Sequence, residues 1–343
     1  MVVGLPLRPP LSAGATLRHF ARANDQVNSW LARSKQRRSQ LVGETQLDAL
    51  FIGQTYIDVT FLIDTIPTGD EKVVARDYAV SFGGNAVSAA FCCAKLGVVP
   101  DLLTSLADDW LSRMFLDMAA KYGIPVHGRK VKESSISFVM PNNGMRAIIR
   151  CRDDHYLHPV PPLDLTGCRA LHLDGHQADA AIQYAKACRE AGIMTSLDGG
   201  GLRSNTAELL EFIDVAICSA RFAEQLGLSP QGLCEYLKGK GCKIGGVTLG
   251  DEGLIWYDES GTLRRLPALA VPPAEVVDSN GAGDIFHGAY VYSYLSAPKM
   301  PWEEHFRFAR AASAHSIRHL GIEASLPTRA DIAAVNRAYR EAA

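Results

Sequence analysis

Three features that would each point to a particular class of protein are missing or scarce in this sequence. The net charge is only −2 over 343 residues, so a basic nucleic-acid-binding surface is not expected. No apolar run is long enough to span a membrane. The eight cysteines include no C-x-x-C pair and several lie in apolar runs, which indicates reduced, mostly buried thiols and a cytoplasmic location. With 47% apolar residues, the chain can build one large core, or a core with a small appendage.

The first 47 residues differ in composition from the rest. They combine several prolines with an Arg-rich run and contain no apolar segment typical of a signal peptide. An Arg-rich transit peptide is the alternative, but Asp25 and Glu44 and the lack of sustained amphipathicity count against it. We therefore predict a disordered N-terminal extension over 1–47.

The segment Asp278-Ser279-Asn280-Gly281-Ala282-Gly283-Asp284 has the strongest chemical pattern in the chain. Three small residues leave backbone N–H groups uncovered, and the apolar spacing that follows predicts a helix. The N-terminus of a helix with bare amides binds anions, and Asp284 in its first turn adds a base. This pairing suits phosphoryl transfer to a hydroxyl, although a Gly-x-Gly is also a common turn and helix cap.

The same segment resembles the Asp-Thr-x-Gly-Ala-Gly-Asp signature of the ribokinase-like (phosphofructokinase-B) sugar kinases, with Ser279 in place of Thr. Gly83-Gly84-Asn85, before a small-residue helix that Gly97 ends, resembles the second signature of that family in its ketohexokinase-like form. The resemblance covers roughly residues 49–331. It implies transfer of the γ-phosphoryl group of ATP, with Asp284 as base and the amides of Gly281, Ala282 and Gly283 as anion hole. Mg²⁺ is expected to bridge the phosphates.

Alternating strands and helices over 169–249 predict an α/β fold with a doubly wound parallel sheet, whose ligands lie beyond the carboxyl ends of the strands. Residues 49–53 read as its first strand. Strands within about 58–82 and 134–152, including a hairpin with an Asn142-Asn143-Gly144 turn, are not separated by helices. They are therefore predicted to form a small sheet, which the family resemblance implies is a lid. The domain is predicted over 48–331, with a helical tail over 332–343.

The sugar site is predicted at Asp58, Gly83, Gly84 and Asn85. Asp58 interrupts an apolar strand, and its carboxylate could accept from two sugar hydroxyls or face water at a strand edge. Lys72, on a predicted strand 72–82, Arg150 and His176 supply positive charge toward the far end of the sugar. The stretch 71–78 resembles sulfofructose kinases, which favours a ketose with an anionic tail such as sulfofructose or fructose 6-phosphate. Alternatively, Lys72 and Arg150 are ordinary solvated residues.

By the same resemblance, the nucleotide lies along the loop 248–253 and near the helix that holds residues 308–314; a simple hairpin turn is the alternative for the loop. Ser219 stands where many relatives have the Asn of an Asn-x-x-Glu motif, and Phe222 stands in place of its Glu. Another acid or bound water must then help to organise magnesium. The predicted nucleotide contacts are Ser219, Thr248, Gly250, Gly253, Ser313 and Ala314. The resemblance also implies a monovalent cation such as K⁺, held through backbone oxygens near Asp278, Asn280, Gly321 and Ser325.

The alternatives within the kinase class are a nucleoside kinase and a kinase for neutral fructose or ribose. A Rossmann dehydrogenase would need G-x-G-x-x-G after the first strand, which Gly53-Gln54-Thr55-Tyr56 does not provide. A catalytically silent sensor of sugar or nucleotide is a further alternative, against which Asp284 argues. We expect a small-molecule sugar as partner, no nucleic acid, no membrane, and a homodimer that forms through the lid.

Overall fold

The fold consists of a large central sheet covered by helices on both faces and a small second sheet. The computed structural model describes residues 47–142 and 145–341. The strands are β1 (Ala49–Gly53), β2 (Tyr56–Leu62), β3 (Asp77–Gly83), β4 (Asp101–Leu106), β5 (Val126–Lys130), β6 (Ile136–Asn142), β7 (Met145–Cys151), β8 (Ala170–Leu173), β9 (Met194–Gly199), β10 (Val215–Ser219), β11 (Ile244–Thr248), β12 (Leu254–Tyr257) and β13 (Leu263–Leu266).

The central sheet has the strand order β13-β12-β11-β10-β9-β8-β1-β4-β5. Its strands are parallel from β11 to β5, and β12 and β13 are antiparallel additions at one edge. Within this sheet, β4 lies next to β1 on one side and β8 lies next to it on the other, so the strand order changes direction at β1. The crevice at the carboxyl ends of β1 and β8 is therefore the place where this kind of sheet binds ligands.

The helices cover both faces of this sheet. Along β1, Ala49 and Phe51 belong to one hydrophobic core, and Leu50 and Ile52 belong to the core on the other face. A strand buried on both faces is typical of a parallel sheet. The helices are α1 (Asn85–Leu96), α2 (Trp110–Lys121), α3 (Ala178–Glu190), α4 (Thr206–Leu209), α5 (Ala220–Gln225), α6 (Pro230–Gly239), α7 (Ala282–Ser296), α8 (Trp302–Ser316), α9 (Ile322–Ser325) and α10 (Arg329–Ala338), with short 3₁₀ turns at Leu210–Phe212, Gly250–Glu252 and Pro273–Glu275.

The second sheet, which we call the lid, has the order β3-β2-β6-β7. Strands β2 and β6 are parallel, whereas β2 pairs with β3 and β6 pairs with β7 in antiparallel fashion. The alternation of β2 places Asp58 and Thr60 on a buried face, while Val59 and Phe61 lie on a more exposed one. This confirms the predicted fold class, an α/β doubly wound sheet with a small separate lid.

Several predicted boundaries need correction. The strand predicted over 72–82 is β3 (Asp77–Gly83), so Lys72 lies in the loop before it. The predicted helix over 206–213 ends as a 3₁₀ turn. The C-terminal helix is α10, and after it the Arg340 carbonyl oxygen accepts a hydrogen bond from the Ala270 N–H. Strands β4 and β5 were not predicted. The proposed disordered extension lies outside the described residues, apart from Leu47, as does the tip of the β6–β7 turn.

Seven of the eight cysteines are buried and all are unpaired, and only Cys151 is exposed. Within the described residues, no helix combines the length and apolar character needed to cross a membrane.

Candidate active site

The start of α7 provides a row of backbone N–H groups. Gly281 caps the helix with φ at 76°, in the left-handed region that favours glycine, and no side chain caps the helix end. The first amides of a helix have no intrahelical acceptor, and here the Ala282 N–H makes only a long contact of 3.4 Å to the Ser279 carbonyl oxygen, so a ligand can compete for these donors. At Gly283 an added Cβ would meet no atom within 4 Å. The open space beside Gly283 allows an anion to approach the backbone.

Asp284 lies in the first turn of this helix and is partly exposed. Burial of its carboxyl group, together with the negative charges of Asp198 and Asp58, raises its pKa to about 8, although Arg146 acts in the opposite direction. A carboxyl group with a raised pKa in a cleft is a candidate general base, because its proton affinity is better matched to abstraction of a proton near neutral pH.

Asp58 reaches this segment from the lid. It is 5% exposed, and the Asn280 Nδ2 donates to its Oδ2 at 3.4 Å. Burial raises the pKa of Asp58, while a hydrogen bond from Ser137 and the charge of Arg150 partly offset that rise. Gly83 pairs with Tyr56 in the neighbouring strand, and a side chain at Gly83 would collide with the Asp58 carboxylate, which explains the glycine there. Asp58 is therefore a buried acceptor inside the site and not an edge residue facing water.

Asn85 begins α1 and faces the same cleft. Its Nδ2 donates to Asp198 Oδ2 at 3.1 Å, and Asp198 lies on β9 close to its carboxyl end. The preceding Gly84 has φ at 104°, and a Cβ there would collide with the carbonyl oxygen of Gln54. Both glycines of the Gly-Gly-Asn segment are thus required by close packing, as well as by any ligand.

His176 lies behind this cleft against Asp174. Its Nδ1 is 3.0 Å from Asp174 Oδ1, and its backbone N–H donates to the same oxygen. Burial alone would raise the pKa of Asp174, but His176 and Arg203 lower it to about 2. The His176 side chain is 8% exposed, so its main contact is with Asp174.

Arg150 and Lys72 differ in how they are held. The Arg150 guanidinium lies 4.9 Å from the centre of the Tyr56 ring, and its Nε donates to Ser137 Oγ at 3.3 Å. The Lys72 side chain is exposed in the loop, and within 47–142 and 145–341 its amine makes no hydrogen bond or ion pair to a site residue. The structure therefore brings Arg150, but not Lys72, into contact with the lid face that carries Asp58.

The predicted nucleotide residues lie along a second stretch of the sheet edge. Ser219 caps α5 and its hydroxyl contacts the carbonyl oxygens of Gly199 and Gly200. Thr248 ends β11, and the next five residues form a tight connection to antiparallel β12, so the loop is a hairpin turn. Gly250 and Gly253 lie in this turn, and Ala314 is buried on α8.

Ser313 on α8 joins these residues to the anion hole, because its hydroxyl donates to the Ala282 carbonyl oxygen at 3.0 Å. Phe222, which replaces the Glu of the Asn-x-x-Glu motif, is buried in the hydrophobic core. Among the residues that the structure describes, no group of three or more His, Cys, Asp or Glu side chains could hold a metal ion. A magnesium ion here would need phosphate oxygens and water for most of its coordination, which is its usual mode with nucleotides.

The four residues predicted to surround a monovalent cation are adjacent. Asp278 accepts from the backbone N–H of Asn280 at 2.8 Å and from that of Gly321 at 3.2 Å. The Ser325 N–H donates to the Gly321 carbonyl oxygen. Asp278 is 3% exposed, and burial raises its pKa despite these two amides. The carboxylate is thus occupied in tying two loops together, and backbone oxygens would have to supply a cation's ligands.

Arg146 and Arg203 are site residues that sequence reasoning missed. Arg146, on β7, donates to the Ser279 carbonyl oxygen at 3.3 Å and so connects the lid with the anion-hole segment. The Arg203 Nε donates to the Asp174 carbonyl oxygen at 3.1 Å, and the guanidinium influences the ionisation of Asp198. The roles of Asp174 and Asp198 could have been suspected from their positions at strand ends, but neither arginine has a sequence signal.

The chain is similar to known proteins over most of its length. A profile of the pfkB family of carbohydrate kinases matches residues 46–329. The ribokinase of Lactococcus lactis is 25% identical over 295 residues, covering 78% of this chain and 90% of its own. The ketohexokinase of Mus musculus is 24% identical, covering 72% and 88%. The crystal structure of ribokinase from Thermotoga maritima is 22% identical with a TM-score of 0.71, and the match covers 85% of this chain and 99% of that one.

Proposed function

This chain belongs to the pfkB family of carbohydrate kinases, phosphotransferases with a hydroxyl acceptor, and from that membership we propose that it phosphorylates the C1 hydroxyl of a ketose with an anionic group at its other end. The observation that carries the proposal is that Asp58 contacts Asn280 of the anion-hole segment, that Asp58 and Asp198 act on the ionisation of Asp284, and that Arg150 acts on that of Asp58. Asn85 joins this group through its contact with Asp198. Sulfonate and phosphate are the anionic groups that suit such an arginine.

The proposed reaction uses three sets of groups. Asp58 and Asn85 accept from and donate to the hydroxyls of the bound sugar, which fixes its orientation. Asp284 accepts the proton of the attacking hydroxyl. The amides of Gly281, Ala282 and Gly283 stabilise the negative charge that develops on the transferred phosphoryl group.

ATP in this proposal lies along the edge formed by Ser219, Thr248, Gly250 and Gly253, with its base beside Ser313 and Ala314. The bond from the Ser313 hydroxyl to the Ala282 carbonyl oxygen supports this proposal, because it joins the helix that carries Ser313 and Ala314 to the start of α7. Mg²⁺ bound to the phosphates would neutralise part of their charge. We also propose a monovalent cation held by backbone oxygens near Asp278, Asn280, Gly321 and Ser325, where it would favour the folded anion-hole loop.

Positively charged side chains near the lid support the proposal that the substrate has an anionic tail. Burial raises the pKa of Tyr56, whereas the positive charges of Arg150, Arg152 and Arg203 act to lower it, so all three guanidinium groups contribute positive charge around this ring. Arg150 is held by its stacking on Tyr56 and its bond to Ser137. Arg150 and Lys72 are both exposed, but only Arg150 is fixed by contacts on the lid face that carries Asp58, so we assign it the larger part of the counter-charge and Lys72 a smaller, solvent-screened part.

We expect Arg150→Ala to raise KM for an anionic ketose by about 10- to 100-fold, because a hydrogen bond to a charged group contributes about 1.5–3 kcal/mol. Lys72→Ala should give a smaller rise, and neither change should much affect neutral fructose. The measurement is kcat/KM for fructose, fructose 6-phosphate and sulfofructose with each variant.

The control is Lys299→Ala, which removes an exposed lysine far along the chain from the lid. A parent enzyme that clearly prefers neutral fructose or a nucleoside would refute the anionic tail, and the nucleoside outcome would favour the nucleoside kinase alternative. Absence of ATP turnover with every acceptor, together with tight sugar or nucleotide binding, would favour a sensor.

We propose in addition that the protein forms a homodimer through the lid. The outer lid face carries Tyr78 and Ile149, which are 66% and 62% exposed, and Val80 and Phe138, which are 37% and 39% exposed. Phe138 stacks on Phe61 with ring centres 6.4 Å apart, so these side chains form a continuous apolar surface. Such a surface on a small sheet is typical of an interface between protein molecules.

Ile149→Asp should convert the dimer to a monomer, because it places a charge inside the apolar contact. The molar mass measured by sedimentation or light scattering should fall by half. Leu263→Asp is the matched control, since Leu263 is 49% exposed on β13 at the far edge of the central sheet. If the parent is monomeric at the same concentration, the lid interface is wrong.

A further inference from the structure

A chain of buried polar side chains runs from the site into the core between the central sheet and α7. His287 Nδ1 lies 2.9 Å from Tyr290 Oη, which lies 2.5 Å from Ser196 Oγ, which in turn lies 2.9 Å from His172 Nδ1. At the other end, His287 Nε2 lies 3.6 Å from Asp198 Oδ1. His287 is 3% exposed, and Tyr290, Ser196 and His172 are fully buried.

The donors and acceptors in this row of buried side chains favour one direction for its hydrogen bonds. His172 Nε2 has no partner among the described residues. An unpaired buried N–H is rarer than an unpaired buried acceptor, so the His172 proton belongs on Nδ1. Then Ser196 donates to Tyr290, Tyr290 donates to His287 Nδ1, and the remaining His287 proton on Nε2 points at Asp198. Burial lowers the pKa of His287 to about 3, which agrees with a neutral ring.

Asp198 connects this chain to the site. Its Oδ2 accepts from Asn85 Nδ2, while its Oδ1 faces His287. This bond fixes the orientation of the Asn85 amide, whose second N–H and carbonyl oxygen stay available to acceptor hydroxyls. His287 lies three residues after Asp284 on α7, so both side chains project from the same helical face.

Buried polar groups at this position need an explanation. A helix–sheet interface built from apolar side chains would avoid the desolvation cost that a buried histidine or tyrosine hydroxyl carries. The three inner steps are hydrogen bonds, the outer nitrogen of His172 has no partner among the described residues, and the last step is a longer polar contact of 3.6 Å from His287 Nε2 to the carboxylate that holds Asn85. A connected network of this kind makes the position of its last member rigid.

We propose that His287 is a positioning residue: through its Nε2–H it holds the Asp198 carboxylate, and through Asp198 it fixes the amide of Asn85 for the acceptor hydroxyls. The inference rests on the proposed kinase function for its catalytic meaning, but the contact between His287 and Asp198 can be tested without turnover. Tyr290 and Ser196 act one and two steps behind His287, by fixing its ring and tautomer.

The charges around Asp198 come from every neighbouring element. Asp174 and His176 face it from the end of β8, Arg203 from the loop after β9, and Asn85 from α1, while Asp284 and His287 face it from α7. Burial and the Asp174 charge raise the pKa of Asp198 to about 7, against the effect of Asn85, Arg203 and His176. Loss of the His287 donor would raise it further and would leave a neutral group beside Asp284.

His287→Leu should therefore have two effects. KM for the sugar acceptor should rise by about 10-fold with KM for ATP unchanged, because only the acceptor contacts Asn85. The acidic limb of the kcat/KM profile should move about one pH unit toward lower pH, because Asp284 loses a negative neighbour. His287→Gln, which restores an N–H donor, should recover part of both.

Ser196→Ala and Ser293→Ala form a matched pair. Ser293 Oγ lies 2.8 Å from His305 Nδ1 in a second buried Ser–His contact, between α7 and α8 and away from Asp198. We expect Ser196→Ala to shift the pH profile in the same direction as His287→Leu, and Ser293→Ala to leave it in place. If the two serine variants behave alike, or if His287→Leu leaves both KM and the profile unchanged, His287 has only a packing role.

A titration of the Asp198 carboxyl by ¹³C NMR in the unliganded protein separates this inference from the kinase proposal. Its midpoint should rise by about one pH unit in His287→Leu and stay constant in Ser293→Ala. A parent without turnover would refute the kinase proposal and leave this titration to decide the contact. An unchanged midpoint in His287→Leu would overturn the inference whatever the enzyme's activity.

Discussion

Asp284→Asn is expected to lower kcat by about 10²- to 10⁴-fold while ATP still binds, because the side chain keeps its shape but can no longer accept a proton. The structure adds a second expectation. The pKa of Asp284 is raised to about 8 by burial and by Asp198 and Asp58, so kcat/KM of the parent should increase with pH toward that value. The measurement is the pH dependence of kcat and kcat/KM, with ATP affinity determined separately.

The same substitution, which lowers activity, should raise stability at alkaline pH. An unfolded Asp ionises near pH 4, whereas folded Asp284 holds its proton to a higher pH, so folding loses stability as pH rises between the two values. Asn carries no such charge. The unfolding temperature of Asp284→Asn should therefore match the parent's near pH 4 and exceed it at pH 8.

Asp331→Asn is the control, because Asp331 is also an acid in the first turn of a helix, where it completes the capping box of α10. It should lower stability and leave kcat unchanged. Turnover of Asp284→Asn within a factor of about two of the parent would refute its role as base, since a positioned base contributes far more than that.

The parts of the fold predicted from the sequence are those with a strong local pattern. Strand β1 is a continuous apolar run that ends at Gly53, and α1 begins after two glycines and ends at Gly97, so both were predicted within one residue of their observed bounds. Strands β4 and β5 were missed because both mix polar and apolar residues, unlike the equally short but wholly apolar run of β1. The strand predicted over 72–82 was right in its second half, but its start was placed five residues too early, because the β-branched Val73 and Val74 lie in the loop before β3 and not in the strand.

The site divides in the same way. Asp284 and the glycines around it are contiguous, so one short segment showed both the anion hole and the base. By contrast, the Asp198–Asn85 contact joins residues 113 positions apart, and the Arg146 contact to Ser279 spans 133. Such contacts depend on how the lid and the sheet edge come together, and single-sequence patterns carry no information about that distance.

Gly281 and Gly283 of the anion hole allow two requirements for glycine to be distinguished. One is the backbone conformation of the fold, and the other is the space that a ligand needs. Gly281 has φ at 76°, and a side chain there would collide with Ile322. Gly283 is exposed, has no positive φ, and has open space where a Cβ would lie. The fold therefore needs glycine at 281 but not at 283, so any requirement at 283 must come from a ligand.

Gly283→Val should lower kcat by about 10²- to 10³-fold, comparable to the loss of one donor from an anion hole, because its methyl groups would occupy the space beside the phosphoryl group. Its free energy of unfolding should stay within about 0.5 kcal/mol of the parent's, as for an exposed site. Gly281→Val should instead cost about 1–3 kcal/mol of stability through backbone strain and the Ile322 collision. The measurements are chemical denaturation and steady-state kinetics on both variants. Normal turnover in a folded Gly283→Val would show that no phosphate approaches this turn, and failure of that variant to fold would show that residue 283 is structural.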